Sequence, residues 1–323
     1  MATAERVHTD AELVELCVSG QVRMERALDG DDRVAARAVA GELIAAMRAF
    51  CTVYLDWLVL TDDYVLEELG HEAHTRVTRP ERIAELAVRT GMSLADLVAG
   101  QALVAGPEND VERDLAAAIA AGERERALEL WLEAERILRD VHDLRRDAVS
   151  DLLGQIYAEY EAEGLKAAQM YAAERGWWKE SIPHDFTLDP AERVREVTYM
   201  LTVGAFSDLY VSEHDDRWVV HQNVCGNCGR QVRDRYQDDE WGLRTFAEPG
   251  PMTFGKPELT IYQTHLAVIH HMYAIDLVGA PWPSFNCIGL AQNGGHCELV
   301  VYKDPAETSP EFYEMVGMSK PGS

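Results

Sequence analysis

The sequence predicts an α+β fold, in which a helical N-terminal half precedes an antiparallel-sheet domain with a buried helix and a cysteine metal site. Three observations predict this architecture. Up to about residue 180, Ala, Leu, Glu and Arg dominate, and apolar positions recur every three or four residues, which indicates helices. Further on, β-rich runs flank turn residues in two places, a pattern typical of hairpins. The same region holds four cysteines of the type that binds zinc: Cys225, Cys228, Cys287 and Cys297.

The helical half is predicted to form one domain, residues 1–180, and residues 181–323 a second, zinc-binding and small-molecule-binding α+β domain. The amino-acid composition and the apolar spacing change after Gly176-Trp177-Trp178. Within the first domain, Asp31 to Leu60 carries a broad apolar stripe that predicts a long helix of a helical bundle. The segments 30–56 and 122–147 share a Gly-acidic start and an Ala-rich stripe, which favours a duplicated helical hairpin, although amphipathic helices also resemble each other by composition alone.

The second domain is predicted to contain two hairpins around a buried helix. Residues 208–222, DLYVSEHDDRWVVHQ, form the first hairpin around an acidic turn. Residues 229–257 carry three prolines and many charges, and are predicted to be a long loop. Residues 258–278 are apolar around most of their circumference, which predicts a largely buried helix. Two further runs, 284–291 and 297–303, flank Gln292-Asn293-Gly294-Gly295 as a second hairpin.

The charge balance argues against several classes of partner. The 323 residues include 56 acidic and 30 basic side chains, for a formal net charge of −26. Such a surface repels nucleic acid and anionic membranes. The N-terminus MATAERVHTD has no apolar signal core, and no apolar run is expected to reach the roughly 18 residues of a membrane span. We therefore expect a cytoplasmic protein with reduced thiols and a small-molecule ligand, and a homodimer is one open expectation for its assembly.

The four cysteines are expected to bind one zinc ion. A hairpin that turns symmetrically at Gln292 places Cys287 opposite Cys297, with Cβ atoms about 4.5–5.5 Å apart, and the Cys225/Cys228 pair completes a tetrahedral set. Alternatives are iron or an iron–sulfur cluster, and unliganded buried thiols. Disulfide exchange through the CxxC motif is disfavoured because the strand-to-helix context of redox motifs is not expected here. One of His221, His265 and His296 could also replace a cysteine and leave an open, catalytic site.

A small-molecule pocket is expected between the buried helix and the sheet, with His265 as the catalytic acid/base and Tyr262, Trp282 and Trp218 as substrate-binding residues. On a regular α-helix, His270 and His271 point away from the face of His265. Ordinary core packing of these side chains is the competing interpretation. In the helical half, His142-Asp143 followed by Asp147 resembles a metal-dependent phosphohydrolase doublet, but no companion ligands are evident.

The C-terminal third resembles a known group of modules. The order of hairpin, cysteine knuckle, buried helix and a terminal hairpin ending Gly295-His296-Cys297-Glu298-Leu299-Val300 is similar to vinyl-reductase-type small-molecule-binding modules and to L-2-amino-thiazoline-4-carboxylic acid hydrolase-like proteins. The resemblance covers about 120 of the 323 residues. It implies that Cys287 and Cys297 bind zinc beside a pocket for small organic molecules. The CxxC at 225–228 and the long helical half depart from that pattern.

The functional expectation is a zinc-containing hydrolase or lyase that acts on a small organic, heterocyclic or aromatic molecule. The alternatives are a non-catalytic small-molecule-binding or sensor module, and an interaction protein with a purely structural zinc. Three protein ligands plus water favour an enzyme, and four sulfurs favour a structural role.

Overall fold

The computed structural model describes residues 6–78, 81–89, 94–107, 109–235, 245–246, 248–257, 259–286 and 296–322. The N-terminal half is helical, as the sequence predicts. Its helices are α1 (Asp10–Leu16), α2 (Gly20–Asp29), α3 (Arg33–Tyr64), α4 (His71–Val77), α5 (Glu81–Arg89), α6 (Leu94–Ala105), α7 (Asp110–Ala121) and α8 (Arg124–Arg175). A π-helical turn, Val65–Leu69, continues α3 directly.

Side-chain caps fix where several of these helices begin. Thr9 and Glu12 form a reciprocal capping box at α1, and the Asp32 carboxylate accepts from the main-chain N–H groups of Val34 and Ala35 at the start of α3. Asn109 caps α7 in the same way. These contacts satisfy main-chain donors that have no partner within the helix.

Helices α3 and α8 pack along each other and form the centre of the bundle. The apolar stripe of α3 lies in the core, including Leu43, Met47, Tyr54 and Trp57. Helix α8 is interrupted at Glu161, whose φ of 55° and ψ of −153° are not helical. The two segments that resemble each other in sequence form the first parts of α3 and α8; their common origin stays a prediction.

The C-terminal half combines short helices with one sheet. Its helices are α9 (Trp178–Asp185), α10 (Pro190–Tyr199) with a π-helical turn (Met200–Gly204), α11 (Cys228–Arg235), α12 (Thr264–Ala267), a π-helical segment (Val268–Tyr273), α13 (Ala274–Val278) and α14 (Glu311–Glu314). Its strands are β1 (Asp208–Glu213), β2 (Arg217–Val224), β3 (Ser284–Asn286) and β4 (Cys297–Tyr302). The strands form an antiparallel sheet in the order β1-β2-β4-β3. The α+β class is therefore confirmed.

The two predicted hairpins and the buried helix are present. β1 pairs with β2, β3 pairs with β4, and the continuous helix 264–278 is mostly buried. The predicted helix, 258–278, was wrong at its start, because Thr260 pairs with Thr245 in an isolated β-bridge and residues 261–263 form turns. The described β3–β4 pairs are Ser284 with Val300, Phe285 with Leu299 and Asn286 with Glu298, which is the register of a hairpin turning symmetrically at position 292. Position 292 and Cys287 lie outside the described residues. The predicted loop 229–257 was wrong at its start, because α11 occupies residues up to Arg235.

The largest buried apolar cluster contains residues from both sides of position 180. Trp57 and Leu153 from the helical half belong to the same cluster as Ile261 and Leu299 from the sheet half. A second cluster lies within the helical bundle, around Leu43, Ile44 and Trp131. The domain boundary near residue 180 stays a prediction.

Helix α3 with its π-helical turn, Arg33–Leu69, is long and apolar enough to cross a membrane by length and composition. This differs from the expectation that no segment reaches that threshold. Helix α3 alone supplies ten buried residues to the protein interior, and a core helix of a globular protein meets the same criterion.

Candidate functional site

A cavity of about 70 Å³ lies between α3, the helix 264–278 and the sheet. We call it the thiol cavity, because three cysteines line it, and two histidines and several aromatic side chains complete its wall. These residues include Cys225, Cys228, Cys297, His265, His270, Phe50, Tyr54, Trp57 and Trp178. A pocket near the thiols and His265 was predicted from the sequence. In the structure, Cys225, Cys228, Cys297 and His265 line the same cavity.

The CxxC motif connects a strand to a helix. Strand β2 ends at Val224 and α11 begins at Cys228, so the first three motif residues form the whole turn between them and the fourth opens the helix. The two Sγ atoms lie 3.6 Å apart, and both side chains are buried. The expectation that the motif lacks a strand-to-helix context was therefore wrong. The expectation failed because residues 229–235 were predicted to be a loop, whereas they belong to α11.

The two thiols of the motif have opposite electrostatic character. A hydrogen bond from Cys228 lowers the pKa of Cys225 to about 6, although burial opposes this, and the main-chain N–H groups of Gly229, Asn227 and Cys228 add to it. The same hydrogen bond, together with burial and the charges of Cys225 and Cys297, raises the pKa of Cys228 well above its usual value. Near neutral pH, Cys225 is therefore the thiolate and Cys228 the hydrogen-bond donor.

A π-helical segment brings His270 to the cavity together with His265. Residues five positions apart on a regular α-helix are about 140° apart around its axis. Here α12 passes into the π-helical segment Val268–Tyr273, and the two rings line the same cavity with their centroids 5.8 Å apart. The expectation that His270 points away from His265 was wrong, because it assumed an uninterrupted α-helix. π-Helical segments are common at functional sites.

Both imidazoles are neutral and have their Nδ1 atoms engaged. Burial lowers the pKa of His265 to about 3 and that of His270 to about 4. Nδ1 of His265 lies 2.5 Å from the carbonyl oxygen of Tyr262, and Nδ1 of His270 lies 2.9 Å from that of Trp282, so the Nδ1–H groups donate to the main chain. The Nε2 lone pairs are then left as acceptors.

Helix α8 holds the turn that carries the two cysteines. The buried guanidinium of Arg146 donates from Nη1 to the carbonyl oxygens of Gly226 and Asn227, at 3.4 and 3.1 Å, and pairs with Asp143 and Asp147. Gly226 packs so closely on Ala205 that a Cβ atom would lie 1.6 Å from its carbonyl oxygen. Only glycine fits this position, which explains the Gly-containing knuckle.

The doublet His142-Asp143 contributes to this support. The carboxylate of Asp143 pairs with Arg146 and Arg230 and accepts from Nδ1 of His142 at 2.8 Å. Burial opposes ionisation of Asp143, but Arg146, His142 and Arg230 together lower its pKa. The phosphohydrolase interpretation of this doublet has no further support among the residues described. The doublet instead belongs to a buried ion-pair network beneath the CxxC turn.

Other predicted site residues lie around or away from the cavity. Tyr262 packs against His265 and its hydroxyl lies 2.5 Å from that of Tyr54. Trp218 is buried on β2 near His8 and Lys303, and Trp282 donates from Nε1 to Asp185, so neither belongs to the cavity wall. His221 pairs with Glu298, and His296 is exposed.

Within the part of the chain that the structure describes, no group of three or more His, Cys, Asp or Glu side chains is arranged to hold a metal ion. The predicted ligand Cys287 lies outside that part. Cys225, Cys228 and Cys297 line one cavity, with the 3.6 Å Sγ–Sγ separation of the first two close to that of two thiolates on one tetrahedral zinc with bonds of about 2.3 Å.

Helix α3 contributes three aromatic side chains to the cavity wall, a role that was not predicted from the sequence. Phe50, Tyr54 and Trp57 follow one another at helical spacing and were interpreted only as core residues. Their clustering of three aromatic rings within eight residues was the available signal. Comparison with known proteins adds no assignment: no family model, curated protein or solved structure matches this chain.

Proposed function

We propose that this protein is a hydrolase or lyase that acts on a small organic molecule in the thiol cavity, with the Cys225 thiolate as its nucleophile. One observation carries the proposal: Cys225, whose pKa is lowered to about 6, lines the same cavity as two neutral imidazoles. A thiolate beside a proton acceptor is a common basis of covalent catalysis. The apolar and aromatic remainder of the wall suits an organic substrate.

The chemistry follows from the groups present. The Cys225 sulfur forms a bond to an electrophilic carbon, and the leaving group departs with the electron pair of its former bond. In a hydrolase, water then attacks the covalent intermediate and transfers a proton to Nε2 of His265 or His270, and the Cys225 thiolate is released. His265 keeps the catalytic acid/base role expected from the sequence, and His270 joins it as a second candidate.

A zinc site is the second candidate, with Cys225, Cys228 and Cys297 as ligands and Cys287 as the predicted fourth. Because the three described cysteines are not arranged as a metal-binding group, Cys297 would have to move toward the Cys225/Cys228 pair to complete the zinc site. Two observations favour it. The Cys225 and Cys228 sulfurs already have a suitable separation, and both cavity histidines donate Nδ1–H to a main-chain carbonyl, as zinc-bound histidines commonly do. Zinc would supply a bound water of lowered pKa, or hold the turn in place if four sulfurs bind it. Iron or an iron–sulfur cluster remains the alternative metal centre.

One experiment separates these candidates. Purified protein is analysed for zinc and iron, and the second-order rate of iodoacetamide alkylation at each cysteine is followed by peptide mass spectrometry from pH 5 to 9. The thiolate proposal expects metal-free protein in which Cys225 reacts fastest. The zinc proposal expects about one zinc per chain, lost in both Cys225→Ser and Cys297→Ser and retained in the matched control Cys17→Ser.

The remaining outcome favours a non-catalytic protein. Metal-free protein with an unreactive Cys225 would contradict both candidates and leave a binding, sensor or interaction role. If Cys225 reacts, a panel of small esters, thioesters, amides and nitriles tests turnover, with Cys225→Ala as the inactive control.

A further inference from the structure

The thiol cavity adjoins a second and larger concavity on the protein surface. This outer groove has a volume of about 730 Å³ and lies between α3 and the junction of α8 with α9. Val53 and Trp177 line both the outer groove and the thiol cavity. The two spaces therefore share part of their walls, at Val53 and Trp177.

The tryptophan pair at the start of α9 joins the two spaces. Trp177 is 41% exposed and faces the groove, whereas Trp178 is 5% exposed and packs on Trp57 inside the thiol cavity. Gly176 makes this arrangement feasible, because a Cβ atom there would lie 2.7 Å from the carbonyl oxygen of Ala172 and 3.1 Å from Leu60. The chain thus turns tightly out of α8 and places the Trp177 indole between the two spaces and the Trp178 indole inside the thiol cavity.

The thiol cavity is much smaller than the outer groove, so the two spaces suit different parts of a substrate. An apolar cavity of roughly 150 Å³ accommodates benzene, so a thiol cavity of about 70 Å³ accepts a head group of only a few atoms. The rest of a larger molecule must lie in the outer groove. The groove carries Arg48 and Arg175 against Asp56 and Glu180, so its charges balance, and its remaining wall is largely alanine, valine and leucine around Trp177.

We infer that the outer groove is the second subsite of the proposed enzyme and that Trp177 determines its specificity, by stacking on an uncharged, planar aromatic body whose small electrophilic head group enters the thiol cavity. The inference rests on the proposed function. Stacking on an exposed indole contributes binding through the ring face and is available to any planar ring of suitable size. The expected substrates are therefore aromatic molecules with a short reactive substituent.

Two thiol reagents with the same head group test the inference. 2-Bromoacetophenone and bromoacetone both alkylate sulfur with loss of bromide, and differ in carrying a phenyl or a methyl group. Rates at Cys225 are measured by peptide mass spectrometry and divided by the rate of each reagent with free glutathione. The protein is expected to prefer the phenyl reagent by about three- to tenfold, the range that a stacking contact gives.

Variants assign the preference to Trp177. Trp177→Leu is expected to abolish it, and Trp177→Phe, which retains a ring, is expected to keep most of it. Ala49→Trp fills the groove from an exposed position on α3 and is expected to abolish the preference with Trp177 intact, whereas Val34→Trp, on the same helix away from the groove, is the matched control. If Trp177→Leu fails to fold, the phenyl preference measured in Ala49→Trp still tests the inference.

The possible outcomes distinguish failure of the thiolate proposal from failure of the Trp177 subsite. If Cys225 reacts with neither reagent, the thiolate proposal fails and the inference falls with it. If Cys225 reacts without a phenyl preference, or with a preference that Trp177→Leu and Ala49→Trp leave unchanged, the inference is overturned while the thiolate proposal stands.

Discussion

Nε2 of His142 lies 3.1 Å from Oδ1 of the Asn227 side chain, so a buried histidine of α8 contacts the middle of the CxxC turn. Burial lowers the pKa of His142, and the neutral ring has one N–H, which the 2.8 Å contact with Asp143 assigns to Nδ1. Nε2 is then an acceptor, and the Asn227 side chain satisfies it when its amide is turned so that the N–H group, in place of Oδ1, faces the ring. The turn that carries the thiols is thus attached to the bundle by a side chain as well as by its carbonyl groups.

Replacing Asn227 by Ala is expected to destabilise the protein by about 1–3 kcal/mol, because Nε2 of His142 loses its partner in a buried position. Urea denaturation measures the change. Asn223→Ala, an exposed position on β2, is the control and is expected to change stability by less than about 0.5 kcal/mol. Equal stability of the two variants would contradict the anchoring role of Asn227.

The glycine of the turn permits a sharper test. Gly226→Ala places a Cβ atom against the Ala205 carbonyl oxygen at 1.6 Å, so the turn must move, at an expected cost of at least about 3 kcal/mol. Thermal unfolding measures this loss of stability. The pH dependence of Cys225 alkylation by iodoacetamide should also change, because the turn that holds the thiolate has moved. Gly41→Ala, where no atom lies within 4 Å of the added Cβ, should be neutral or stabilising by up to about 1 kcal/mol. A Gly226→Ala protein as stable as Gly41→Ala would rule out the packing described here.

The pH dependence of Cys225 alkylation depends on Cys228. In the unmodified protein the rate should rise through pH 6 and level off above it, because the pKa of Cys225 is lowered to about 6, chiefly by the Cys228 hydrogen bond. Cys228→Ala removes that donor, and the midpoint should move upward, toward the usual thiol pKa of about 8.5. Cys17→Ala, in α1's C-terminal cap, should leave the midpoint unchanged. An unchanged midpoint in Cys228→Ala would show that other donors hold the thiolate.

Buried neutral histidines make the fold sensitive to acid. Burial lowers the pKa of His271 to about 3, so between that value and its unfolded pKa of about 6.5 the unfolded chain binds a proton that the native state does not. Stability from this group is therefore complete above pH 6.5 and declines by about 1.4 kcal/mol per pH unit below it. His271→Gln should reduce the slope of unfolding free energy against pH between 4 and 6 by about that amount, relative to the exposed control His71→Gln. Parallel slopes would contradict the assignment.

Arg146 tests the ion-pair network. Arg146→Lys keeps the charge but cannot reach Asp143, Asp147 and the carbonyl groups of the turn together, so we expect a loss of about 3–5 kcal/mol. Arg139→Lys, exposed on the same helix, should be nearly neutral. Chemical denaturation of both variants at pH 7 makes the comparison, and a loss below about 1 kcal/mol at Arg146 would show that the network is not structurally required.

The sequence was informative wherever a regular period or symmetry governs the structure. β-Rich runs predicted both hairpins, and the register predicted from Cys287 and Cys297 is the one in which Phe285 pairs with Leu299. The even apolar distribution of residues 258–278 predicted a buried helix. These patterns reflect side-chain periodicities, which are local and readable from one sequence.

The cavity depended on features that have no such period. The π-helical segment rests on a local change of hydrogen bonding that apolar spacing does not encode, and so the position of His270 was not predictable from an α-helical wheel. The support of the CxxC turn by Arg146 joins residues about 80 positions apart. The outer groove arises from a tight turn at Gly176 that a single glycine in the sequence does not distinguish from an ordinary helix end.

The π-helical segment Val268–Tyr273 has a consequence for comparing this chain with related sequences. A π-helical turn differs from an α-helical one by a single inserted residue. Deleting Ile269 would place the two histidines four positions apart, which is about 40° around a regular α-helix, and so on the same face. A relative one residue shorter in this segment could thus lack the π-helical turn and still present both imidazoles to the thiols. A relative with the same five-residue spacing on a regular α-helix would present only one of them, because its two histidines would be about 140° apart.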